Sequence, residues 1–410
     1  MFLLSILSFF ALFVYNNKEL SEVFFMKNVA IIGAGACGLA CCMYLSKYPD
    51  QFYIQLFEKN NRIGRKIAAT GNGRCNLSNA NISKWRYQGD VERLFPIIET
   101  FNIQDFCSHL GIATRRINDL YYPYSEQAKT LIYRFEEILA DRGVITFLDT
   151  NIIDIAMTND RYLLTDQKKR QFKADIVIVA VGGKAAKMYG TDGSSFNMLK
   201  RLGLHITPLY PSLVQLKTKQ VDLALKGSRV HGTFELRLNQ QPLISYKGEI
   251  LFTDDGVSGI AAMQISRLLK FKSNHYYTLH CNFIDELSQD ELKAYYQAHE
   301  KQDNPFLGIV GLKLAEHLNR KKINCFEDFY RCLSDYVLEI TNTRGFDSAQ
   351  VTRGGVMLED LDDDLMVKQY SDLYIGGETL NIDGDCGGFN LHAAFATGKH
   401  IAKAVIKKYS

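Results

Sequence analysis

What this chain of 410 residues has little of narrows the field first. Seven prolines against thirty glycines do not fit a disordered chain and suit an α/β protein with many tight turns. The formal net charge of +3 is small for the length and neither demands nor excludes nucleic acid. The nine cysteines, an odd number, contain no CxxC pair, so a disulfide framework is not expected and a reducing, cytoplasmic setting is. The nine histidines include no HExxH, and no metal is expected. Asp360, Asp362, Asp363 and Asp364 lack the glycine and terminal glutamate of a calcium loop and read as a solvated turn. There is no GxSxG elbow, no GxxxxGK[ST] loop, no internal repeat and no low-complexity tract. A spanning helix is lacking too: the apolar stretch before Asn16 falls short of the ~20 residues needed to cross a bilayer. No basic residue precedes that stretch and no small-residue cleavage site follows it. Met26, directly before Lys27, therefore reads as the natural start, with 1–25 an upstream extension; a membrane-attached helix and a signal peptide are the alternatives, and no membrane contact is expected.

What is present begins at once after Met26. The stretch KNVAIIGAGACGLACCMYLSK sets an apolar strand, Val29 to Ile32, before a helical pattern, with glycines between them. Gly33 permits the tight turn, Gly35 lets backbone approach a pyrophosphate, and Gly38 allows close helix–strand packing. The pyrophosphate belongs at the helix N-terminus, where free N–H groups and the dipole favour negative charge. Glu58 closes a second apolar run, Phe52 to Phe57, and is placed to accept the ribose hydroxyls of an adenosine. Strand, glycines, helix and acid in that order predict a bound dinucleotide.

The rest of the chain divides by pattern. With 47% hydrophobic residues it buries a large core and splits into two or three domains. Residues 26–203 form the first part of the cofactor domain. Within it, ADIVIVAVGG ends a β-branched run at Gly183, as does a parallel strand whose C-terminal end meets a ligand. Residues 204–285 alternate in short segments such as HGTFELRL and predict an antiparallel β-rich insert. Residues 286–347 are helical in pattern and adjoin it. Residues 348–410 return to the first style, with DLYIGGE as strand and turn and a long closing helix. The fold class is thus α/β: a Rossmann-like nucleotide domain interrupted by an inserted β-barrel-like domain with an adjoining helical segment.

Further glycine clusters, GRKIAATGNGRCNLSN, VTRGGVMLED and YIGGETLNIDGDCGGFNLHAAFATG, call for a ligand or for tight turns. With GAGACGLA, TDGSSFNMLKRLG and GEILFTDDGVSG they make the sequence resemble the BaiN-like, YhiN-type family of FAD-dependent oxidoreductases, from Val29 to Gly398. The resemblance implies FAD in a glutathione-reductase-like domain assembled from both chain ends, with the insert over the flavin. It carries over Arg65, Lys66, Gly376, Glu378, Gly387, Gly388, Phe389 and Asn390 as FAD-site candidates beside Gly33, Gly35, Gly38, Glu58 and Gly183. One departure stands out: Thr253, Asp254 and Asp255 occupy the place where the family has threonine and histidine before a GLSGP turn.

The family implies a reductase that passes hydride from NADH or NADPH through FAD to a conjugated C=C bond, in an enone-type small molecule or in a uracil ring of ribosomal RNA. An amine oxidase using oxygen and a non-catalytic FAD-binding protein are the alternatives. Three residues are candidate proton carriers: Cys75, because Arg74 precedes it and lowers a thiol's pKa; Asp254, at the expected interdomain entrance; and His392, just inside the closing helix. Cys37, Cys41, Cys42 and Cys386 read as structural. Lys217, Lys219, Lys226, Arg229, Arg267, Lys270, Lys272, Arg320, Lys321 and Lys322 would bind RNA phosphates if they shared a groove and otherwise form a solvated surface.

Overall fold

The computed structural model describes residues 26–158 and 161–409; the expected extension 1–25 lies outside the described residues. Its centre is a five-stranded parallel sheet in the order Leu373–Ile375, Ile176–Val179, Lys27–Ile32, Phe52–Phe57, Ile145–Phe147. The IVIV strand is buried along its whole length, as a parallel strand covered on both faces must be. The C-terminal part of the chain supplies the edge strand, so the sheet left incomplete at Val179 is finished almost two hundred residues later. The closing helix Phe389–Tyr409 packs along Ala36–Leu45, closely enough that a Cβ on Gly398 would collide with the Cys37 carbonyl.

The insert is a closed barrel of six strands: Leu216–Thr218, Gly256–Ser258, Gln241–Phe252, Arg229–Leu238, Tyr277–Asn282 and Tyr336–Thr343, the last returning to the first. In Arg229–Leu238 alternate residues Val230, Phe234 and Leu236 point inward and are buried, the two-residue period of a strand with one face in a core. Helices Gln289–His299, Leu312–Asn319 and Phe326–Ser334 stand between the fifth and sixth strands and share one apolar core with the barrel, separate from that of the sheet domain. This corrects the reading of 286–347 as helical throughout. Its end, Tyr336–Thr343, is the strand that closes the barrel, with Leu338 and Ile340 turned inside.

Two smaller sheets went undistinguished in the sequence. One is a meander of Ile152–Thr158, Arg161–Asp166 and Gln171–Ala174; the other joins Ser78–Asn79 to the hairpin Thr114–Ile117 and Leu120–Pro123. The two domains are linked by paired crossover strands, Tyr210–Ser212 and Val351–Arg353. Among the described residues no helix is long and apolar enough to cross a membrane.

Candidate functional site

A cleft of about 890 Å³ runs over the C-terminal ends of the parallel strands and on to the insert, lined at one end by Glu58 and at the other by Ile260 and Met263. Crevices outside the carboxyl ends of such strands are where open α/β sheets bind ligands. The three fingerprint glycines differ in what surrounds them. Gly33 turns at φ +103°, where a Cβ would collide with the Ala180 carbonyl, and a Cβ on Gly38 would collide with the carbonyl of Gly33. A Cβ on Gly35 meets nothing within 4 Å, so this position opens directly onto the cleft. The helix that starts there has no side-chain cap and no acidic residue in its first turn. Its first N–H groups are left for an anion.

Glu58 is nearly buried. Its Oε2 accepts the Ala34 N–H at 3.0 Å, and its Oε1 accepts the Asn60 N–H at 2.9 Å and the Asn60 side-chain amide at 2.6 Å. These bonds fix the carboxylate on the cleft wall with lone pairs to spare. Arg65 donates through Nη1 to Asn60 Oδ1 at 2.8 Å and through Nη2 to the Met188 carbonyl at 2.9 Å, while its buried Nε has no partner. Lys66 Nζ meets Glu378 Oε2 at 2.7 Å, and Glu378 Oε1 accepts the Thr352 N–H at 2.8 Å. Gly183 sits against both Thr352 and Glu378, leaving no room for a side chain. At the start of the closing helix Gly387 and Gly388 adopt φ +116° and +93°, and a Cβ on Gly388 would lie 2.6 Å from the Ser78 backbone. Asn390 braces this turn by accepting the Gly384 N–H at 2.7 Å and donating to its carbonyl at 2.9 Å. An uncapped helix end, an opening over Gly35, a fixed carboxylate and an unpartnered guanidinium nitrogen are what an elongated dinucleotide requires, and the residues fit it.

Two cofactor candidates lie behind the wall. Gly376 gives way to Cys37, whose sulfur would be 2.6 Å from a Cβ there, and it is the neighbouring Gly377 that lines the cleft. Phe389 is buried in the core, edge-on to Tyr87 at 5.8 Å.

The three proton-carrier candidates are corrected. Cys75 is fully buried off the cleft, burial pushes its thiol up to about 12, and Arg74 turns away to Glu126, with Nε 2.7 Å from Oε2. His392 is enclosed as well. Its Nε2 donates to the Ile98 carbonyl at 3.0 Å, its Nδ1 accepts from Ser78 Oγ at 2.7 Å, and burial lowers its pKa to about 4. Asp254 stands on the barrel surface outside the cleft lining, 3.4 Å from Lys226 and in contact with Arg344. A backbone N–H, Lys226 and Arg344 hold its carboxyl below the usual range, so it is ionised at neutral pH and carries no proton to give. In place of the expected Asp254–Asp255 entrance the cleft is lined by Ile260 and Met263, on the helix Ile260–Ser266 that follows the strand Gly256–Ser258. Of the loop 71–76, Gly71, Asn72, Arg74 and Asn76 do line the cleft.

Sequence reasoning missed the hairpin residues Leu120 and Tyr122 and undervalued Cys386, all of which line the cleft. The Cys386 thiol is pushed up by burial, and its N–H donates to Gln264 Oε1 of the insert at 3.1 Å. For the hairpin the only local signal was the aromatic run LYYPY of residues 120–124; for Cys386 no local signal set it apart from the other cysteines.

Known proteins bear on this geometry. The family described as HI0933-like protein Rossmann domain matches residues 27–404. A 3-dehydro-bile acid delta(4,6)-reductase of Clostridium scindens is 31% identical over 409 residues, covering 93% of this chain and 100% of the relative. A ribosomal RNA dihydrouridine synthase of Haemophilus influenzae is 24% identical, covering 92% and 98%. Among solved structures, a quinol-fumarate reductase with menaquinol shares the fold at a TM-score of 0.51 and 14% identity, over 93% of this chain and 71% of that one. Matched along almost its whole length, the chain belongs to the HI0933-like family and is an FAD-dependent oxidoreductase of the BaiN-like type that its motifs resemble.

Proposed function

We propose that this protein reduces a conjugated carbon–carbon double bond in a small apolar enone, using electrons from NADH or NADPH. The observation that carries the reading is the insert end of the cleft, where Ile260, Met263, Leu120 and Tyr122 gather apolar surface and Ile260 is 61% exposed. Such a wall suits a fused-ring or chain-like substrate better than a charged one. The name of the Clostridium scindens relative points the same way. A ribosomal RNA substrate is less favoured: Lys217, Lys219, Lys226, Arg229 and Arg320 each pair with a carboxylate, and Arg267 is buried. Six of the ten basic candidates are thereby paired or enclosed, which lowers what the set can offer to phosphates.

Within this reading Glu58 accepts ribose hydroxyls, Gly35 and the helix N-terminus behind it receive the pyrophosphate, and Arg65 Nε adds a donor. Gly387 and Gly388 line the cleft at the start of the closing helix, where free N–H groups would hold an electron-rich edge of the flavin. Bound in this cleft, FAD would supply hydride transfer between a reduced nicotinamide and the acceptor. Saturating the double bond needs a proton besides. Cys386 lines the cleft and keeps its proton through neutral pH, because burial raises its pKa. It is the group assigned to deliver that proton to the acceptor carbon.

The test is anaerobic. Purified protein should carry non-covalent FAD, bleach with NADH or NADPH, and reoxidise with a cyclic enone to give the saturated product. Reoxidation by oxygen alone would point to an oxidase, dihydrouridine in a ribosomal RNA fragment to the RNA reading, and no bleaching with either nucleotide to a non-catalytic protein. Cys386→Ala should leave flavin reduction unchanged and slow reoxidation by the enone about 10²-fold, the scale of a lost general acid.

A further inference from the structure

The hairpin at the mouth of the cleft carries a feature the reaction itself does not require. Leu120 and Tyr122 share one face of the strand Leu120–Pro123, and the Tyr124 N–H, donating to the Ala113 carbonyl at 2.7 Å, carries the antiparallel pairing one residue past its end. The first two line the cleft, and Leu120 approaches the Gly387 turn. Tyr124 continues the row outward and is 60% exposed. Each tyrosine carries a guanidinium: Arg74 lies 4.6 Å from the centre of the Tyr122 ring and Arg115 lies 4.0 Å from that of Tyr124. Both arginines are tied to a single carboxylate. Glu126 Oε2 accepts Arg74 Nε at 2.7 Å and its Oε1 accepts Arg115 Nη1 at 3.0 Å. Those arginines hold the Glu126 carboxyl below its usual range, so two cations share one anion and a positive charge is left over beside an exposed aromatic face.

From this ladder we infer a docking site for the nucleotide end of the electron donor, a nicotinamide dinucleotide. The inference rests on the donor named in the proposed function. With FAD occupying the cleft, the donor's nicotinamide has to enter at the insert end while its adenosine and phosphates stay outside. There they need a ring to stack on and a cation, and Tyr124 with Arg115 presents both next to the opening. The fixed arrangement through Glu126 means that little side-chain freedom is lost on binding.

Tyr124→Ala and Arg115→Ala should each weaken the donor about tenfold, as loss of a stacked base contact does. The readout is anaerobic stopped-flow reduction of the FAD-loaded enzyme, where the apparent Kd for NADH or NADPH rises and the limiting rate stays. Tyr124→Phe should behave as wild type. Reoxidation of dithionite-reduced variants by the enone should be unaffected. Binding of the redox-inert analogue tetrahydro-NADPH, followed by equilibrium dialysis, reports on the site even if neither nucleotide reduces the flavin. Weaker analogue binding in Tyr124→Ala then supports the docking site although the proposed donor chemistry fails. An unchanged Kd in both variants overturns the inference, as does a defect confined to the enone or to an oligoribonucleotide, which would assign the ladder to the acceptor.

Discussion

A side chain at position 35 and one at position 33 are expected to fail for different reasons. Gly35 has extended backbone and open space over it, so Gly35→Leu should fold with unchanged circular dichroism yet retain no FAD in its visible spectrum. Gly33 is held at φ +103° against the Ala180 carbonyl, so Gly33→Ala should lose about 1–3 kcal/mol of stability in denaturant titrations before binding is considered. His392 gives a pH signature. Its folded pKa is lowered to about 4 from 6.5; between those values the unfolded chain binds a proton that the folded protein refuses, so stability falls as pH drops from about 6.5 towards 4. The loss amounts to about 3 kcal/mol, and His392→Gln should flatten the melting temperature over that range. At this scale the glycines and Glu58 were legible because local spacing alone sets a strand–turn–helix. Cys75, Asp254 and His392 were misread because burial and ion pairing decide a proton carrier, and those depend on partners as distant as Ile98, Lys226 and Arg344.

Elements differ in how much of their own pattern they own. Four of the five parallel strands declared themselves as apolar runs, whereas Ile145–Phe147, three residues at the sheet edge, did not. The strand Tyr336–Thr343 did not, because YVLEITNT directly follows the helix Phe326–Ser334 and shows only a short alternation; what makes it a strand is the pairing waiting on both sides, with Leu216–Thr218 and with Tyr277–Asn282. Ile340, 4% exposed inside the barrel, tests that role. Ile340→Ala should cost about 2–5 kcal/mol of insert stability, measured by denaturant unfolding, through lost burial and a cavity. The hairpin Leu120–Pro123 was missed for the same reason: four residues specify little until Ser78–Asn79 and Thr114–Ile117 flank them.

For the whole molecule, the joint between domains rests on buried charge. Arg267, following the insert helix Ile260–Ser266, is 3% exposed at its side chain and pairs with Asp383 at 3.1 Å and with Asp385, both from the closing segment. Its carbonyl and that of Leu269 accept from Arg353. Arg267→Met would leave the buried Asp383 carboxylate without its ion-pair partner, while Asp385 keeps Arg86 at 3.1 Å, and should cost about 3–5 kcal/mol; limited proteolysis should then cut around the crossover strands Tyr210–Ser212 and Val351–Arg353 faster than in wild type. The discontinuous sheet has a further consequence, for synthesis. At about 5–20 residues per second a ribosome needs roughly 10–40 s to go from Val179 to Leu373. Through that interval the first four strands have emerged without their fifth or the closing helix, while the barrel and its helices, with a core of their own, can already fold. The nascent cofactor domain therefore waits with an unpaired edge and apolar faces until Leu373–Ile375 and the closing helix arrive, and a complete cofactor cleft exists only once translation has all but finished.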